Sequence, residues 1–107
     1  MAMQVLEALA DPTRRRIVEL LAETDRDAGA IASEFRVTRP AVSRHLRVLR
    51  ETGLVRVRID AQRRIYSLDP RPLAELDAWL ARYRAFWSDR LDALETTVRR
   101  SRGKESA

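Results

Sequence analysis

Cysteine is absent from the 107-residue chain. That removes disulfides, thiolate-held metal and nucleophilic cysteine chemistry, and it favours a reducing compartment. Histidine occurs once, as His45, with no acidic residue near it in sequence to complete a metal site. Packing or capping is its expected role. No apolar run approaches the ~20 residues that cross a bilayer, and MAMQVLEALADPTRRR lacks the basic-then-apolar order of a secretion signal. The expectation is a cytoplasmic chain without a membrane partner. Also missing are a paired acid and base, a nucleophile with its activating base, and a metal cluster. Ser43 has no such base near it, so no enzyme is expected.

What is present is a folding composition, 45% apolar and 35% charged, of a size that suits one domain over residues 1–107. The formal net charge is +5, but the charge is unevenly placed. Residues 36–64 hold nine arginines against Glu51 and Asp60, a local net of +7, whereas the remainder nets −2. A positive excess confined to one segment marks a face for a polyanion; a merely solvated surface spreads its charges.

Periodicity divides the chain into helices and one hairpin. Val5, Leu6 and Leu9 recur at helical spacing until Ala10-Asp11-Pro12, where Asp caps and Pro starts a second helix over about 12–23. Ile17, Val18, Leu20 and Leu21 form its apolar stripe, and Arg14 and Arg15 point away. Asp25-Arg26-Asp27 reads as a polar link. Ala28 to Phe35 reads as a short helix with Ile31, Ala32 and Phe35 inward, weakened by Gly29. Thr38 caps the next helix and tolerates Pro40 in its first turn, while Gly53 stands where a C-terminal cap belongs. LVRVRID and RRIYSL alternate as two strands joined through Asp60-Ala61-Gln62, with no Asn-Gly signal to fix the turn type. From Asp69-Pro70 a last helix runs to about Val98, roughly 44 Å at 1.5 Å per residue. Its apolar positions outnumber what one protomer can cover, and residues 100–107 read as a frayed polar tail.

The expected architecture is therefore mainly α with a small β-hairpin, ordered helix-helix-helix-helix-strand-strand-helix. Helix, tight turn, helix and basic hairpin form the arrangement in which the second helix enters the major groove. Arg39, Pro40, Ser43 and Arg44 then stand nearest the bases, with Thr38 at the helix entrance. Arg47 and Arg50 meet phosphate, and Arg58, Arg63 and Arg64 on the hairpin add charge neutralisation or reach into the minor groove. For Arg14 to Arg16, contact with DNA backbone stands level with a solvated face or ion pairs with Glu19 and Asp11.

ALADPTRRRIVELLA, PAVSRHLRVLRETGLV and RRIYSLDP resemble the ArsR/SmtB family of bacterial winged-helix repressors over about residues 5–75. The resemblance implies a homodimer built on the first and last helices that binds an inverted-repeat operator on double-stranded DNA and blocks transcription. The dimer seam then takes Val5, Leu6, Leu9, Leu76, Trp79, Leu80, Tyr83, Phe86 and Trp87. Metal-sensing members carry a Cys-x-Cys motif on the helix matching Ala28–Phe35, or Asp and His ligands on the final helix. Here the first lacks cysteine and the second lacks histidine, so a metal-independent member with no cofactor is implied, and no effector carries over. A rival reading keeps the same shape but turns the basic face toward an acidic protein.

Overall fold

The computed structural model of the chain describes residues 2–106. Its elements are α1 (Ala2–Leu9), α2 (Pro12–Glu23), β1 (Arg26–Asp27), α3 (Ala28–Ser33), α4 (Arg39–Glu51), β2 (Val55–Asp60), β3 (Arg63–Leu68) and α5 (Arg71–Ser106). They fall into two compact units that divide between Leu76 and Asp77.

The first unit closes around one core. Val5 and Ala8 of α1, Ile17, Leu20 and Leu21 of α2, Ile31 of α3, and Val42, Leu46 and Leu49 of α4 are all buried, together with Leu54, Val55, Ile65, Tyr66 and Leu76. Helical spacing dictates most of this set, because each stripe of residues three and four apart can be removed from water only against another stripe. The helix starts follow local chemistry. Asp11 accepts from the backbone N–H groups of Thr13 (2.8 Å) and Arg14 (3.1 Å), with Pro12 opening α2. Helix α3 ends at Ser33, two residues short of the expected Phe35, which is half-buried in the connection to α4. A six-residue helix with Gly29 in its first turn has little propensity to extend further.

The sheet corrects the expected hairpin. It has three strands in the order β1-β3-β2, because the segment read as a polar link pairs Arg26 with Tyr66 and Asp27 with Ile65. Two residues carry no periodicity, so only the neighbouring edge of β3 recruits them. The β2–β3 pairing runs in register from Val55↔Leu68 to Asp60↔Arg63, leaving a two-residue turn at Ala61-Gln62. Ala61 takes φ 56°, a left-handed conformation that costs a non-glycine residue about 1–2 kcal/mol.

The second unit is the remainder of α5. The helix extends beyond the expected Val98, to Ser106. No proline interrupts it, Arg99 pairs with Glu95 one turn back, and Arg99, Arg100 and Arg102 put positive charge toward its C-terminal end, where the helix dipole favours it. Leu80, Tyr83, Phe86, Trp87, Leu91, Leu94 and Val98 are all exposed.

Candidate nucleic-acid interface

Helix α4 is anchored at both ends. Thr38 lies at φ −70° and ψ 156°, outside the helix, and its Oγ1 accepts from the Ala41 N–H at 3.3 Å. At the other end Gly53 takes φ 80°; its N–H reaches the Arg50 carbonyl at 3.0 Å, and Leu54 N–H reaches that of Leu49 at 3.1 Å. Those two bonds make the left-handed glycine cap that sequence placed here, and they turn the chain directly into β2. Between the caps Val42, Leu46 and Leu49 face the core. The helix cannot roll without exposing them, so its opposite face is fixed. Outside that stripe Thr38 at the cap and Arg39, Pro40, Ser43, Arg44, Arg47 and Arg50 are all exposed.

The hairpin adds a second cationic edge, with Arg58, Arg63 and Arg64 exposed. Arg39, Arg63 and Arg64 converge with Asp27, Gly29 and Gln62 on a shallow cleft of about 380 Å³ between the start of α4 and the hairpin tip. Arg47 and Arg50 line a separate open groove with Arg56 of β2. Arg58, by contrast, is paired with Asp25 (2.8 Å). Arg63 donates from Nη2 (2.8 Å) and Nε (3.1 Å) to Asp27. Arg44, Arg47, Arg50 and Arg64 have no ion pair with any described residue.

Acidic residues outside the expected DNA-contacting set organise this face. Asp27 accepts the Ala30 N–H at 2.7 Å, which begins α3, while its other oxygen holds Arg63. The Ala30 bond first, and then Arg63, keep its carboxyl below the ordinary carboxylate range. An Asp three residues before the end of a helix's first turn was a readable capping signal; its pairing with a residue 36 positions away was not. Asp69, 7% exposed, pairs with Arg56 (2.9 Å) and Arg71 (2.7 Å), and its Oδ1 accepts the Arg71 N–H at 3.1 Å. It thus joins β2 to the first turn of α5.

Arg14 departs from the outward position expected of it. Its Nε donates to the Ala8 carbonyl (2.6 Å) and Nη2 to that of Glu7 (3.2 Å), satisfying the open end of α1. Nη1 lies 3.4 Å from Nδ1 of the half-buried His45, so one guanidinium ties α1 and α2 to α4. Asp11 beside it is held below the usual carboxylate range, chiefly by the Arg14 backbone N–H, with His45 and the Arg14 charge adding to the effect. Arg16 pairs instead with Glu19 at 3.2 Å.

The residues expected in a dimer seam divide sharply. In the first unit Val5 (1% exposed) and Leu76 (8%) are taken up by the protomer's own core, because their stripes close on it, and have almost no surface to offer a partner. Leu6 is exposed and Leu9 half-buried. In the second unit Trp79 is half-buried and Leu80, Tyr83, Phe86 and Trp87 are exposed. Trp79 and Tyr83 lie with ring centroids 5.2 Å apart, Phe86 and Trp87 meet edge to face at 5.6 Å, and Arg90 caps the Phe86 ring at 4.1 Å. Among the described residues no cluster of three or more histidines or acids could hold a metal ion, and no helix is long and apolar enough to cross a membrane.

Comparison with known proteins agrees with this geometry. Residues 11–57, from the Asp11 cap through α4 into β2, match the family described as bacterial regulatory protein, arsR family. The chain is 49% identical over 82 residues to the HTH-type transcriptional regulator Rv2034 of Mycobacterium tuberculosis, covering 77% of this chain and 74% of that one. It is 34% identical over 79 residues to the transcriptional repressor SdpR of Bacillus subtilis, covering 74% and 88%. An ArsR-like transcriptional regulator from a Rhodococcus species superposes with a TM-score of 0.73 at 30% identity, over 89% of this chain and 90% of the other. The chain belongs to the ArsR family of winged helix-turn-helix proteins, and it is a DNA-binding transcriptional regulator, not an enzyme.

Proposed function

We propose that the protein is a cytoplasmic repressor that binds a two-fold symmetric operator as a homodimer, without a cofactor. The observation that carries this reading is the face of α4. Arg39, Ser43, Arg44, Arg47 and Arg50 are exposed on a helix whose other side is locked by Val42, Leu46 and Leu49. In the major groove, Arg39, Pro40, Ser43 and Arg44 stand at the bases, where an arginine donates two hydrogen bonds to guanine. Thr38, Arg47 and Arg50 meet the backbone beside the groove. Arg58, Arg63 and Arg64 contact flanking phosphates from the β2–β3 wing and supply affinity with little sequence information.

Homodimerisation supplies the symmetry. Two recognition helices related by a two-fold axis stand about one DNA turn apart, ~34 Å, and read two half-sites. The exposed Leu80, Tyr83, Phe86 and Trp87 of α5 support such a seam, since a run of exposed apolar side chains along one helix marks a contact with protein. We read the whole chain as one functional domain, its long last helix serving dimerisation. Repression rather than activation is favoured by the name of the Bacillus relative. Selection of bound fragments from random DNA, followed by mobility shifts across a salt series, tests the proposal. An inverted repeat bound by a dimer, with affinity falling steeply as salt rises, is expected; a monomer that ignores every duplex at low ionic strength overturns it.

A further inference from the structure

The cleft shared by Arg39, Arg63 and Arg64 is also lined by an acid. Asp27 closes β1, caps α3 through the Ala30 N–H at 2.7 Å, and holds Arg63 of the wing at 2.8 Å. Gly29 lies between it and the recognition helix: a Cβ there would stand 3.3 Å from Arg39 Nη2 and 3.6 Å from Asp27 Oδ1. The glycine thus leaves room for the Arg39 guanidinium above the first turn of α3. Arg39 at the start of α4 and Arg63 on the wing therefore both flank one carboxylate, in the same cleft as Arg64. For a surface meant only to attract phosphate, an acid at that place is a handicap, because it cancels charge where the backbone is to lie.

We propose that Asp27 is a positioning residue for DNA selectivity: it holds Arg63 in one arrangement in the cleft beside Arg39, and its charge weakens binding to DNA that does not fit that arrangement. The inference rests on the DNA-binding reading above. On unselected DNA the contacts are loose phosphate contacts, and there Arg63 is withheld by Asp27 while the carboxylate repels the nearest phosphate. On an operator the recognition helix sets the depth of approach, and an Arg63 already held in place loses less freedom on contact. Selectivity is a difference between two affinities, and a repulsive element lowers the unwanted one.

D27N is the discriminating variant. Asn caps a helix about as well as Asp, so the bond from Ala30 is retained while the charge and the hold on Arg63 are lost. Affinity for random-sequence duplex should rise about 3- to 10-fold near 0.1 M salt, with its salt dependence steepened by up to about one phosphate contact. Operator affinity should change less, so the ratio of operator to random affinity falls. A merely structural role would lower both affinities instead. In an R63Q background, where the held arginine is gone, D27N should raise random-DNA affinity less than it does alone. D27A, which also loses the cap, separates folding from charge: its melting temperature should drop while that of D27N stays close to wild type. If D27N melts normally yet leaves random-DNA affinity unchanged or lower, the role assigned to Asp27 is overturned. A wild-type chain that binds no duplex overturns the DNA reading and this one together.

Discussion

Helices α4 and α5 are both amphipathic, and they complete their surfaces in opposite ways. In α4 the apolar stripe Val42, Leu46, Leu49 is buried within its own protomer, and what remains outside is cationic. In α5 beyond Asp77 the apolar stripe itself remains outside: Leu80, Tyr83, Trp87, Leu91, Leu94 and Val98 are exposed. A charged face left in water is stable there and awaits an anion; an aromatic and aliphatic face left in water is not, and calls for protein. On the function proposed above, the two helices divide recognition between nucleic acid and a second protomer. That division follows from side-chain chemistry alone, since both are ordinary α-helices.

Breaking the buried side of α4 gives the largest effect. Leu49→Ala removes a fully buried side chain and should destabilise the fold by about 2–5 kcal/mol, read by denaturant or thermal unfolding. Leu80→Glu attacks the other helix, where a charge in an apolar seam is not tolerated; it should produce folded monomers, and an unchanged sedimentation mass would remove Leu80 from the interface. Arg44→Ala should leave the dimer intact and weaken discrimination at one operator position by about 1–3 kcal/mol, measured across single-base operator variants.

Smaller effects sharpen the comparison at the ends of the helices. Asp11→Ala should cost about 1 kcal/mol through the lost cap on α2. It should also reduce acid sensitivity. The carboxyls of Asp11 and Asp27 are held below their ordinary value of 3.8 in the folded chain. The stability they contribute is therefore complete above that value and is lost as pH falls through the folded one. Unfolding midpoints followed downward from pH 5 should fall less steeply in the variant than in wild type. Least of all, Arg63→Gln with Arg64→Gln should lower affinity evenly across single-base operator variants and flatten the salt dependence of operator binding by up to about two phosphate contacts. A change confined to one base position would contradict backbone contact by the wing.

The helical part of the basic face was open to reading in sequence because its determinants are local. Thr38 and Gly53 bracket α4 through bonds spanning a few residues, and a stripe at i, i+4, i+7 buries one side whatever it packs against. The wing was legible only in outline. Its alternation and its two strands could be read, but the acids that hold its arginines lie far off: Asp25 pairs with Arg58 across 33 residues and Asp27 with Arg63 across 36. Arg14 eluded the reading for the same reason. Helical phase pointed it outward, yet a long side chain can bend back, and the unsatisfied carbonyls of Glu7 and Ala8 draw it there.

Sequence by itself determined the number, type and caps of the helices, the hairpin, the cationic segment and the excess of apolar surface on α5. Each of these depends on neighbours within about two helical turns. The tertiary structure alone decided that Arg26-Asp27 becomes a third strand, that Val5 and Leu76 belong to the core and not to an outer seam, and which arginines meet an acid. A strand of two residues has no period of its own, and a side chain's partner depends on which distant segment packing brings beside it. Such outcomes belong to the assembled core and leave no trace in any short stretch of chain.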